Sequence, residues 1–292
     1  MSDAILNSEH CLVFHQGIND HAVILLPGLC GSELEMGVIP RLLKQSGFSY
    51  AIPRIKGYSA HTGITSYKNW IDDVEQFVID LMQTHSSISL VGLSMGATLS
   101  LAVAARNAKI QSLSVLSPVL IFDGWSVPWY QPLLKAIYLL GFRNWHHKET
   151  APFGVKNLEM RKRIKKAVES NSVSELGAAH LPARHLIESL KLIEETKKEL
   201  PSVNTDILII HAIDDETASP KNPDLILDSV SSETRRTIWL GNSYHIITVD
   251  NEREIVANET VNFIMQSIKK QEILRESNLN TSSLIIRNRN ES

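Results

Sequence analysis

Short runs of β-branched and aliphatic residues, each followed by a helical stripe, set the strongest limit on how this chain can fold. The first clear run is His21–Leu26 (HAVILL), closed by the turn signal Pro27-Gly28. FSYAIP, SISLVG from Ser87 and Ile110–Leu116 repeat the pattern, and CLVFHQ reads as an outer strand joined to HAVILL through the turn Gly17-Ile18-Asn19-Asp20. Between the runs, Glu33 to Gln45 reads as helical, with Pro40 either kinking the helix or starting its second part. Trp70, Ile71, Val74, Phe77, Val78 and Leu81 fall on one helical face, and Met95 to Arg106 is a helix of small residues. Strand alternating with helix predicts an α/β fold, a mostly parallel central sheet with helices on both faces.

The alternation stops at about residue 121 and resumes only after residue 200. Between them lie an apolar stretch from Trp125 to Leu140, helical patterns near Arg161–Val168 and Ala183–Leu200, and no strand candidate. Compact domains seldom carry so long a loop without structure of its own, so a helical insertion is the expectation. Strands return at Asp206–His211 and Thr234–Leu240, followed by a helix over Glu252–Lys270. The predicted organisation is a core of residues 1–120 and 201–270, a helical cap insertion of residues 121–200, and a disordered tail of residues 271–292, rich in Asn, Ser and charge.

Composition narrows the function. A net charge of −3 gives no electrostatic reason to expect nucleic acid as a partner. Two cysteines, Cys11 and Cys30, are too few for a disulfide framework and fit a reducing compartment. The N-terminus lacks a basic segment leading into an apolar one, and no apolar run reaches membrane-spanning length, so a cytoplasmic protein without an integral membrane segment is expected. The oligomeric state is not legible.

Gly92-Leu93-Ser94-Met95-Gly96 sits between the strand SISLV and a helix. A serine on a tight strand-to-helix turn has its hydroxyl exposed, and glycines two residues either side relieve the clash such a turn creates. The helix beginning at Met95 aims its first N–H groups at developing negative charge. Serine alone is a poor nucleophile and needs a base with a group to orient it. His245 follows the last predicted strand and precedes the last helix, which singles it out among 11 histidines as the base. The loop after DILIIH offers three carboxylates for the third position: Asp214, Asp215 and Glu216. The loop Pro27-Gly28-Leu29-Cys30-Gly31 is placed to lend a second backbone donor, from Leu29, beside that of Met95. His146-His147 does not predict a metal site, because adjacent side chains diverge and no Cys, Asp or Glu cluster accompanies them.

These motifs resemble carboxylesterases and monoacylglycerol-lipase-like members of the α/β-hydrolase superfamily. GLSMGA is similar to the nucleophile elbow, HAIDDETASP to the acid loop and SYHIITVDNERE to the histidine loop. The likeness extends through PRIKGYSAHTG and the Trp70 helix, from about His21 to Ile268, more loosely in the cap. DGWSVPWY, PFGVKN and LPARHL resemble a group of uncharacterised bacterial hydrolases. The resemblance implies an α/β-hydrolase fold and a triad of Ser94, Asp215 and His245 in the superfamily's chain order, with Asp214 the second choice for the acid. It departs at Pro27-Gly28, where many relatives have His-Gly; the glycine and the donor position remain, but the hydrogen bonds of the loop must differ.

The function expected is a serine carboxylesterase acting through an acyl-enzyme on a small-molecule acyl ester, with no cofactor and no metal. Acyl transfer to an alcohol or amine, or thioester cleavage, is the alternative, since the same residues serve it. Trp125, Trp129 and Tyr130 in the apolar stretch are the candidates for an acyl pocket selecting short-to-medium chains.

Overall fold

The computed structural model describes residues 11–59, 63–107, 109–127, 145–148, 151–169 and 180–290. Its strands are β1 (Cys11–His15), β2 (His21–Leu26), β3 (Ser49–Pro53), β4 (Ser87–Leu93), β5 (Ile110–Leu116), β6 (His146–Lys148), β7 (His180–Pro182), β8 (Asp206–Ala212) and β9 (Arg235–Leu240). Its helices are α1 (Ile39–Gln45), α2 (Tyr67–Leu81), α3 (Met95–Arg106), α4 (Leu158–Glu169), α5 (Ala183–Glu199), α6 (Lys221–Ser229) and α7 (Arg253–Asn290).

Seven strands form one sheet in the order β1-β3-β2-β4-β5-β8-β9. All neighbours run parallel except β1, which is antiparallel to β3. The outer strand β1 therefore does not pair with β2, its neighbour in sequence; β3 lies between them. Parallel strands joined by helical crossovers are covered on both faces, so their sequences read as continuous apolar runs. Every residue of β2 is buried, and alternate side chains serve opposite faces. Ala22, Ile24 and Leu26 pack on the layer holding Trp70 of α2, Leu99 of α3, Leu192 of α5 and Ile226 of α6. Val23 and Leu25 pack on the layer of Ile39 and Leu43 from α1 and Val261 and Ile264 from α7. Between α2 and α5, α3 is buried from Met95 to Ala104, which explains its small, apolar composition.

The structure adds detail to several expectations and corrects one of them. The segment read as strandless carries β6 and β7, which pair antiparallel; at three residues each they are too short to show a period in sequence. Helix α5 packs on the core, since Leu192 and Ile193 join its main cluster. Pro40 starts a helix: it stands in the first turn of α1, where its missing N–H costs nothing, and a short 3-10 turn over Glu33–Met36 precedes it. Helix α7 continues to Asn290 through the segment expected to be a disordered tail. Nothing after Gly241 stops it, because no Gly or Pro follows.

Both cysteines are buried, and no disulfide joins them. Among the described residues no helix is long and apolar enough to cross a membrane.

Candidate active site

β4 ends at Leu93 and α3 begins at Met95, so Ser94 alone makes the turn between them. It does so at φ 56°, ψ −119°, a left-handed conformation that costs a residue with a side chain about 1–3 kcal/mol. The surroundings fix it there. Ser94 N–H donates to the Leu116 carbonyl at 2.8 Å, and Ala97 N–H donates to the Ser94 carbonyl at 3.1 Å. The two glycines of the motif are required by close backbone approach: a Cβ on Gly92 would strike the Gly96 carbonyl, and one on Gly96 the carbonyls of Leu26 and Pro27.

His245, on the loop between β9 and α7, brings Nε2 to 2.8 Å from Ser94 Oγ. Its Nδ1 lies 2.8 Å from Asp215 Oδ2 and 3.1 Å from Oδ1. With Nδ1–H donating to the carboxylate, the Nε2 lone pair faces the serine hydroxyl, the tautomer a general base needs. Asp215 is 2 % exposed, and its Oδ1 also accepts the N–H groups of Thr217 and Ala218 at 2.8 and 2.9 Å.

The three competing carboxylates point in three directions. Asp214 is 57 % exposed and pairs with Lys156 Nζ at 3.1 Å. Asp215 faces the imidazole. Glu216 is buried and accepts the His245 main-chain N–H at 3.1 Å. Thus the first stands outside the cluster, the second meets the ring and the third holds the backbone beneath it.

Electrostatics follow from this arrangement. Burial would lower the His245 pKa, but the charge and hydrogen bond of Asp215, helped by Glu216 and Glu35, outweigh it and push it up to about 9. Burial acts to raise the Asp215 carboxyl, yet His245, His211 and the Ala218 N–H hold it below its ordinary value. The Glu216 carboxyl is raised by burial and then by Asp215. Below Asp215, His211 donates through Nε2 to the Ala218 carbonyl at 2.8 Å, and burial lowers its pKa against the opposing pull of Asp215.

The loop after β2 passes beside the serine, where a Cβ on Gly28 would lie 3.6 Å from that of Ser94. Pro27-Gly28 is anchored by two side chains. Tyr58 donates its hydroxyl to the Pro27 carbonyl at 3.1 Å, and the buried Glu35 carboxylate accepts Gly28 N–H at 2.8 Å. Cys30 N–H donates to Tyr58 O and Gly31 N–H to Gly28 O. Between these committed amides lies that of Leu29, while Met95 opens α3 directly after the serine.

Of the pocket candidates, Trp125 is 62 % exposed, donates to the Asp214 carbonyl at 3.2 Å and meets the Tyr244 ring edge-on. Trp129 and Tyr130 lie outside the described residues. Among the described residues no group of three or more His, Cys, Asp or Glu side chains could hold a metal ion. Glu35, Tyr58 and the anchoring role of Glu216 were missed in the sequence. Their partners are backbone groups 7 to 31 positions away, pairings that no helical or strand period predicts and that so leave no local pattern.

A family model described as serine aminopeptidase, S33 matches residues 17–253. The chain is 24% identical over 244 residues to a thermostable monoacylglycerol lipase of Bacillus sp. (strain H-257), covering 82% of this chain and 89% of that protein. It is 22% identical over 252 residues to a carboxylesterase of Bacillus subtilis (strain 168), covering 84% and 92%. The crystal structure of a monoacylglycerol lipase from Paleococcus ferrophilus superposes with a TM-score of 0.73 at 17% identity, covering 88% of this chain and all of that one, a likeness of fold.

Proposed function

Since the chain belongs to the serine aminopeptidase S33 family, whose match spans most of its length, we propose that Ser94, His245 and Asp215 cleave carboxylic esters of short-to-medium acyl chains through an acyl-enzyme. The coarser statement holds plainly: this is a serine hydrolase of the lipase and esterase kind. The observation that supports the acyl-enzyme reading, with these three residues in these roles, is the continuous chain of short hydrogen bonds from Asp215 through His245 to Ser94 Oγ.

In the proposed reaction His245 Nε2 takes the hydroxyl proton as Ser94 Oγ attacks the ester carbonyl. The negative charge that develops on the carbonyl oxygen is met by the N–H groups of Leu29 and Met95. The imidazolium formed is stabilised by Asp215 and gives its proton to the departing alcohol. Water, deprotonated by the same Nε2, then releases the acid and restores Ser94. Residues 121–182 serve as a cap. Two contacts support this: Trp125 lies against Tyr244, next to His245, and the Gly154 carbonyl accepts Ile246 N–H at 2.7 Å. The acyl chain is assigned to the apolar stretch containing Trp125, Trp129 and Tyr130.

The test is a series of 4-nitrophenyl esters from acetate to octanoate, run beside a thioester and an aminoacyl nitroanilide. Each methylene buried in an acyl pocket contributes roughly 0.8 kcal/mol, so kcat/KM should climb by up to about fourfold per methylene until the pocket is full. A flat profile would remove the pocket assignment. Nitroanilide or thioester turnover above that of every ester would replace the esterase reading by amide or thioester cleavage.

A further inference from the structure

His245 sits on a loop, and a loop holds a base to a few tenths of an ångström only if its backbone is tied down. Three consecutive amides are tied, each to a different part of the molecule. Tyr244 N–H donates to Asp250 Oδ2 at 2.8 Å, His245 N–H to Glu216 Oε2 at 3.1 Å, and Ile246 N–H to the Gly154 carbonyl at 2.7 Å. The first tie reaches furthest. Asp250 is completely buried, and its two oxygens accept four backbone N–H groups. Oδ2 takes Lys156 at 2.7 Å together with Tyr244. Oδ1 takes Asn157 and Asn251, both at 2.8 Å. A side-chain pair runs alongside, with Asn157 Nδ2 donating to Asn251 Oδ1 at 2.8 Å.

One oxygen thus joins the segment entering α4 to the residue before His245. We propose that Asp250 is a positioning residue that latches the segment 154–157 to the histidine loop, so that the placement of this segment sets the approach of His245 to Ser94. The inference rests on the esterase reading above and adds a residue that the triad does not contain. Asp250 touches neither Ser94 nor the imidazole; it acts through the main chain of Tyr244.

The geometry makes asparagine a poor replacement. Both carboxylate oxygens face donors, so an amide NH2 in either position would confront two N–H groups, losing two hydrogen bonds and adding two repulsions. With Nε2 only 2.8 Å from Ser94 Oγ, a displacement of about 1 Å is enough to cost on the order of a hundredfold in rate.

Asp250→Asn should therefore lower kcat for 4-nitrophenyl butyrate by about a hundredfold, counted per site titrated with a fluorophosphonate, while KM changes by less than about threefold. A merely structural role would reduce the number of titratable sites and leave the rate of each one intact; kcat per site within about twofold of wild type would overturn the proposal. Amide hydrogen exchange on the wild-type protein decides the matter even if the variant does not fold. Lys156, Asn157 and Tyr244 should share one protection factor, because one carboxylate holds all three. Independent exchange of Tyr244 from the other two would overturn the latch. A wild-type protein that fails to label at all would instead refute the esterase reading, and the exchange rates would still judge Asp250.

Discussion

Replacing Asp215 by Asn separates two jobs that one carboxylate performs. Oδ1 accepts the N–H groups of Thr217 and Ala218, and Oδ2 is the oxygen nearer to His245 Nδ1. The backbone donors decide how the amide of the variant must lie, with its oxygen toward Thr217 and Ala218 and its NH2 toward the imidazole. An NH2 can only donate, so Nδ1 must become the acceptor and the ring proton must move to Nε2. There it faces Ser94 Oγ, and the histidine can no longer take the hydroxyl proton. The fold should survive, because size and backbone bonds are kept. By analogy with the same substitution in serine proteases, kcat should fall by about ten-thousandfold. The neighbouring Asp214→Asn removes only a half-exposed ion pair with Lys156 and should cost a few-fold at most. Steady-state hydrolysis of a 4-nitrophenyl ester by both variants, corrected for active sites, is the assay. Equal losses in the two variants, or the larger loss in Asp214→Asn, would refute the reasoning.

Three further expectations follow from the same geometry. Only neutral His245 accepts a proton, and Asp215 holds its pKa above the usual 6.5; kcat/KM should therefore rise with pH through an alkaline-shifted limb, and a limb centred at or below 6.5 would contradict this. His21 is buried between Ser87 and Ser89, and burial, with His85 nearby, lowers its pKa to about 4. Its folded value lies below the unfolded one, so this stability is present above pH 6.5 and is lost as pH falls toward 4, on the order of 3 kcal/mol. His21→Gln should flatten the fall in Tm between pH 6.5 and 4, and an unchanged acid slope would show that other groups set it. Glu35→Ala leaves Gly28 N–H without its carboxylate and should lower kcat by up to about a hundredfold with KM little changed, as expected if the loop carrying Leu29 moves; an unaltered kcat would detach Glu35 from the site.

What the sequence revealed depended on whether the cause was local. Parallel strands buried on both faces leave unbroken apolar runs, so β2, β4, β5 and β8 were readable within a residue or so. Ser94 was readable because its turn demands glycine on both sides. The acid was harder: Asp214, Asp215 and Glu216 are consecutive, and only the curvature of the loop decides which one meets the imidazole. β6 and β7 left no period to detect. The packing of α5 on the core was hidden because a helix packed on a sheet and a helix in an insertion carry the same stripe. Glu35 and Asp250 look like ordinary acidic residues until their partners, backbone amides up to 94 positions away, are brought beside them.

The central claim is that Ser94 is the nucleophile. Intact-mass and peptide-mass analysis after treatment with a fluorophosphonate tests it most directly. One adduct per chain on the peptide containing Ser94 is predicted, together with its loss in a folded Ser94→Ala variant whose ester turnover falls by on the order of a millionfold. Stoichiometric labelling or undiminished turnover in Ser94→Ala would contradict it.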